Sequence, residues 1–140
     1  MTRFDGATFT GTTTFDGATL SGVTRFRRAR FAGPIAWFAR VTFPDTITFD
    51  GAILSGIAWF EGTSFSSGAR FQHATFLAAE FNGVTFSGTA GFGEVEFATA
   101  VVSFASPRRW GPPDPEFDWD QDASQKPRNV EPQDWPQPSP

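Results

Sequence analysis

One histidine, His73, and fifteen carboxylates are the side chains that could move protons or hold a metal, and their placing argues against both roles. His73 has neither a cysteine nor a second histidine with which to share an ion. The Asp and Glu residues stand singly, without the facing carboxyl pair that acid–base hydrolysis needs. The glycines are spaced along the chain rather than gathered into a phosphate-cradling loop. No catalytic residue, no metal site and no cofactor are therefore expected. What remains are groups suited to contact. Arg25, Arg27, Arg28 and Arg30 form a basic cluster, and Trp37, Trp59, Trp110 and Trp119 are candidate contact aromatics. A row of hydroxyls at Thr19, Thr42, Ser64 and Thr85 could order water or ice, although Thr is also an ordinary solvent-facing strand residue.

What positions these groups is a beat of large apolar residues. The marks are Phe4, Phe9, Phe15, Leu20, Phe26, Phe31, Phe38, Phe43, Phe49, Leu54, Phe60, Phe65, Phe71, Phe76, Phe81, Phe86, Phe92, Phe97 and Phe104. Seventeen of the eighteen phenylalanines lie on it, at intervals of five residues alternating mostly with six. Two residues before every mark stands a small or β-branched residue, such as Ala7, Thr13, Ala29 or Val84. Self-similarity of this kind marks a solenoid, whose repeats bury their apolar side only by stacking on one another. A period near five is neither that of a helix nor that of a long strand; it fits a very short strand followed by a corner. Within each unit the small residue and the mark share a face and point inward, while the residue between them points outward.

Units such as Ala7-Thr8-Phe9-Thr10-Gly11, Ala18-Thr19-Leu20-Ser21-Gly22 and Val84-Thr85-Phe86-Ser87-Gly88 resemble the small-x-(Leu/Phe)-x-x unit of the pentapeptide-repeat family. The resemblance covers roughly residues 2–106. It implies an all-β fold, a right-handed quadrilateral β-helix with four units per coil and both repeating residues inside. The chain departs from strict contiguity by extra residues after nearly every second unit: Thr12, Val23, Thr46, Ile57, Gly68 and Thr89 singly, Pro34-Ile35 and Ala100-Val101 in pairs. Only the junction between Ala78 and Ala79 lacks one. With four units per coil these insertions fall at the same two opposite corners. A flattened two-sided coil is the alternative, but its sheets would have to sit about 10 Å apart across very short corners, so the square is preferred. Just under five coils result, and they arrange the marks in columns. Side one carries Phe4, Phe26, Phe49, Phe71 and Phe92, and side three carries Phe15, Phe38, Phe60, Phe81 and Phe104.

Composition bounds the rest. Residues 1–106 hold seven arginines against eight carboxylates, a net of −1, and residues 107–140 hold four basic against seven acidic residues, a net of −3. That balance provides no footprint for nucleic acid. It also weakens one role the resemblance implies, since some members of the family imitate DNA with an acidic rod and bind gyrase. Arg27 is expected to pair with Asp5 and Asp50 in the neighbouring coils. Cysteine is absent, no secretory signal follows Met1, and no apolar run approaches a membrane span, so the expected location is cytoplasmic.

Two domains are read: a β-helix over 1–106, and over 107–140 a tail rich in Pro, Asp and Trp that its composition marks as disordered. Trp110 is placed to fold back over Phe97 and Phe104, while at the other end nothing in the sequence precedes Phe4 to serve as a cap. A homodimer through the N-terminal coil is one expectation, a truncated relative of a longer protein is its alternative, and a protein partner of unknown identity is the broader one. The leading function is a non-catalytic scaffold for protein–protein interaction. A gyrase-directed DNA mimic is second, and an ice- or water-ordering surface third.

Overall fold

In a computed structural model of the chain, residues 1–98, 100–133 and 135 are described. They form an all-β solenoid of parallel strands, most of them two residues long, with no α-helix among them. Side one is a six-stranded sheet: Thr2–Arg3, Thr24–Arg25, Ile47–Thr48, Ala69–Arg70, Ala90–Phe92 and Glu116–Phe117. Side four is a four-stranded sheet built from Thr42–Phe43, Ser64–Phe65, Thr85–Phe86 and Arg109–Trp110, with Thr19 bridged to Thr42. Sides two and three are joined into one nine-stranded sheet, because the strands Ile53–Trp59 and Thr75–Glu80 run through the corner between them.

The inward rings stack along the coil axis. On side one Phe4, Phe26, Phe49, Phe71 and Phe92 lie 4.6–5.2 Å apart, each pair within 8° of parallel. Side three repeats this through Phe15, Phe38, Phe60, Phe81 and Phe104, at 4.6–5.2 Å. On side four Phe43, Phe65 and Phe86 stack at 5.4 and 5.3 Å. Side two stacks Phe9 on Phe31 and Phe76 on Phe97, with Leu54 between the two pairs. Across the coil, columns one and three meet edge to face, as in Phe49–Phe60 at 89° and Phe92–Phe104 at 83°. The electropositive ring edges of one column thus point at the electronegative faces of the other, an arrangement worth about 0.5–1.5 kcal/mol per pair beyond burial. The alanines and valines two residues earlier line the same core. Thr63 takes one of those places and satisfies its buried hydroxyl by donating to the Phe38 carbonyl.

Corners alternate between two designs. After sides one and three the chain makes a tight turn: the Ala7 N–H donates to the Phe4 carbonyl at 3.0 Å, and Ala29 and Ala74 do the same to Phe26 and Phe71. The third residue of each such turn is left-handed. Gly6, Gly17, Gly51, Gly62 and Gly83 fill the position without strain, whereas Arg28, Arg40, His73, Glu94 and Ser106 fill it with φ of 52–59°. After sides two and four come the wide corners that hold the extra residues. Where the extra residue is missing, at Ala78–Ala79, the neighbouring coil absorbs the mismatch: Leu54 pairs with Phe76 and Ile57 with Ala78, so three steps oppose two in a β-bulge.

The structure differs from the sequence reading in the segment after Ser106. Its described residues continue the coil instead of trailing from it. Arg109–Trp110 pairs with Thr85–Phe86, Glu116–Phe117 with side one, and Val130–Glu131 with Val102–Ser103. Phe117 stacks on Phe92 at 4.7 Å, so the eighteenth phenylalanine is a sixth rung of side one. The reason is the open end of the coil. Phe86, Phe92, Phe97 and Phe104 would otherwise face water, and a few large aromatics cover them despite the polar, proline-rich composition around them. Residues 134 and 136–140 of that tail lie outside the described residues.

Two outcomes test the corner geometry. Arg28→Gly is expected to raise stability by about 0.5–1 kcal/mol by relieving the left-handed backbone, read from urea midpoints. A Cβ built on Gly33 would overlap the Gly11 carbonyl of the coil before, whereas one built on Gly11 meets nothing. Gly33→Ala is therefore expected to cost more than about 1 kcal/mol and Gly11→Ala less than about 0.5 kcal/mol in the same measurement.

Candidate functional site

With the interior filled by packing, any contact chemistry sits on outward positions, which register aligns into rows. The row on side three reads Thr14, Trp37, Trp59, Glu80 and Ser103. Trp37 and Trp59 stack 5.3 Å apart and 13° from parallel, both half-buried against the sheet. Below them runs a polar chain. The Ser103 hydroxyl donates to Asn82 Oδ1 at 3.0 Å, and Asn82 Nδ2 donates to Glu80 Oε2 at 2.9 Å. Burial pushes the Glu80 carboxyl above its usual range, and the nearby charge of Glu61 adds to the shift.

Above the tryptophans the row changes character. Thr14 is too small to continue the stack, so the outer face of Trp37 borders a cleft of about 310 Å³ lined by Thr12, Thr14, Asp16 and Trp37. Asp16 is held by Arg40, whose Nη2 lies 2.7 Å from Oδ2. The Asp16 backbone N–H donates to the Thr14 hydroxyl at 3.2 Å.

The other two candidate contact tryptophans are not on the outside. Trp110 and Trp119 are each 3 % exposed. Trp110 packs edge-on against Phe86 and Phe104, and Phe97 is covered by Trp119 rather than by Trp110. Trp135 meets Phe104, Trp110, Phe117 and Trp119 edge-on and completes the cap. They were candidates because tryptophan in a polar segment reads as a recognition element; here each has an open core ring to cover. A signal for part of this was present, because Trp110 follows Phe104 by six residues and Phe117 follows Trp110 by seven, both intervals of the beat. Arg108 and Pro115 hide it by standing where the small residue belongs.

Of the clustered arginines it is Arg25, rather than Arg27, that makes the salt bridge to Asp5. Asp5 binds the Arg25 side chain at 3.0 Å and accepts from Arg27 only through its backbone N–H. Asp50 binds Arg70 at 3.1 Å and accepts from the Gln72 backbone N–H. Arg25 wins because it projects from the two-residue strand Thr24–Arg25, whereas Arg27 already lies in the turn. His73 faces Glu94 of the next coil across 3.0 Å, both side chains largely exposed. Among the described residues no group of three potential ligands is gathered for a metal, and no helix is long and apolar enough to cross a membrane. The hydroxyl row on side four is in register from Thr19 to Thr85 and then meets Arg109.

A family model described as pentapeptide repeats, in nine copies, matches residues 4–53, 38–85 and 49–96. No curated protein and no solved structure matches the chain.

The raised Glu80 carboxyl has a pH signature. Its folded pKa lies above its unfolded one, so its contribution to stability is fully present below about pH 4 and is lost as pH rises through the folded value. Glu80→Gln, which keeps an acceptor for Asn82, is expected to raise the Tm at pH 7 and to leave it unchanged near pH 3.5–4 by thermal denaturation.

Proposed function

The chain belongs to the pentapeptide-repeat family, and on that premise we propose that it is a non-catalytic scaffold that engages a protein partner through its N-terminal coil. One observation carries this: the two ends of the solenoid are finished differently. At the C-terminal end Trp110, Phe117 and Trp119 bury the last core rings. At the other end Phe4, Phe9, Phe15 and Leu20 pack on the core on one side and stay half-exposed on the other, uncovered by any described residue. The first-coil strands likewise have a ladder partner on one side only. An apolar end face rimmed by unpaired backbone groups is a template for another β-edge.

A second copy is the partner this face fits best. Two identical coil ends can meet about a two-fold axis, each presenting to the other the same rings and the same free edge. The DNA-mimic alternative has less support, because Asp5, Asp16 and Asp50 are each neutralised by an arginine along the rod. The expected outcome is a mass that rises from monomer to dimer between low micromolar and about 1 mM protein, followed by light scattering. Phe9→Lys, which places a charge on the end face, is expected to hold the chain monomeric. A strict monomer throughout that range overturns the dimer.

A further inference from the structure

The tryptophan stack on side three ends in a step. Coils two and three place Trp37 and Trp59 in one register slot, and coil one places Thr14 there. One indole face of Trp37 is covered by Trp59, and the other opens on the cleft lined by Thr12, Thr14 and Asp16. The gap is one missing rung high, ~4.8 Å, so it admits a flat ring lying on the indole.

Three flat chemistries compete for such a place. A guanidinium or ammonium group would stack on the indole and seek Asp16, but Asp16 already holds the Arg40 guanidinium at 2.7 Å, and a second cation there meets like charge. An aromatic ring would satisfy Trp37 while stripping water from Asp16, Thr12 and Thr14 without replacing their hydrogen bonds. A pyranose ring has an apolar C–H face for the indole and a rim of hydroxyls that both donate and accept. The surroundings match it: Asp16 accepts, Arg40 donates, and the threonine hydroxyls do both. The Thr14 hydroxyl already accepts from the Asp16 backbone N–H, which leaves its own hydrogen free to donate outward. We propose that the step at Thr14 and Trp37 is a carbohydrate-binding subsite, with a pyranose stacked on Trp37 and its hydroxyls bonded to Asp16, Arg40 and Thr14.

The test uses the full chain, isotopically labelled, and follows the Trp37 indole N–H by NMR. The probes are the methyl glycosides of glucose, galactose, mannose and N-acetylglucosamine, and the β-1,4-linked trisaccharides of glucose and N-acetylglucosamine. At least one probe is expected to shift the Trp37 signal saturably, with Kd between about 0.1 and 10 mM, as suits a shallow single-ring site. Thr14→Trp should fill the missing rung, as tryptophan does in the next two coils, and weaken binding at least tenfold with the fold intact. If that variant fails to fold, Trp37→Thr, which copies the residue that coil one carries in the slot and is followed at the Thr14 and Asp16 backbone amides because the indole is gone, must show the same loss. The proposal is overturned if no sugar moves Trp37 at about 50 mM, or if the folded variant binds as the parent does. It is equally overturned if methylguanidinium or indole shifts Trp37 while every sugar leaves it unmoved.

Discussion

The spacing between neighbouring strands sets the terms for this molecule. Parallel strands lie about 4.8 Å apart, and flat rings stacked in register cannot depart far from that distance. The phenylalanine columns obey it, at 4.6–5.2 Å on sides one and three. Backbone ladder and ring stack therefore share one period, and neither has to strain to satisfy the other. Each coil must return its chain to within one strand spacing of where it began. The corners follow from that demand, with a left-handed residue at the tight ones, extra residues at the wide ones, and glycine where successive backbones approach too closely for a Cβ.

A stack has ends, and the ends are where the solenoid's economy fails. Inside, a ring is covered by the rings above and below; at a terminus one face is bare. The C-terminal segment meets this with large aromatics set in a polar, proline-rich sequence, so that few residues cover much area. Three short strands carry the ladder one layer further and bring Phe117 and Trp110 over the core. The first coil has only the core beneath it, and the half-exposure of Phe4, Phe9 and Phe15 is the direct consequence.

The outer surface is under no such rule, and it shows more variety. Carboxylates and arginines alternate between coils and pair locally, which leaves no long stripe of one charge. Register nevertheless turns chance neighbours into rows. One residue per coil is enough to make a stack of indoles, a line of hydroxyls, or the step where Thr14 gives way to Trp37. A solenoid of this kind displays chemistry by choosing the residue at a given slot in successive coils.

Much of the fold was legible in the sequence because inward positions repeat. The Phe beat, the small residue two places earlier and the insertions at alternate junctions gave the columns and the two kinds of corner. The missing insertion at Ala78 was visible too, but its remedy was not, since the bulge forms in the neighbouring strand, 22 residues earlier at the Leu54–Phe76 pair. The outward contacts were read less well. Arg27 stood beside Asp5 on paper, yet the salt bridge went to Arg25, because side-chain direction at a turn depends on backbone geometry that spacing does not encode. Trp119 looked like an exposed recognition residue and is buried because an open core end lies within its reach, whereas Trp110, also legible as a cap, covers Phe104 but leaves Phe97 to Trp119. The sequence by itself determined what faces inward, since burial every fifth or sixth residue leaves a periodic mark. Only the tertiary structure decided what meets outside and at the ends, because those contacts join residues of different coils and leave no period behind.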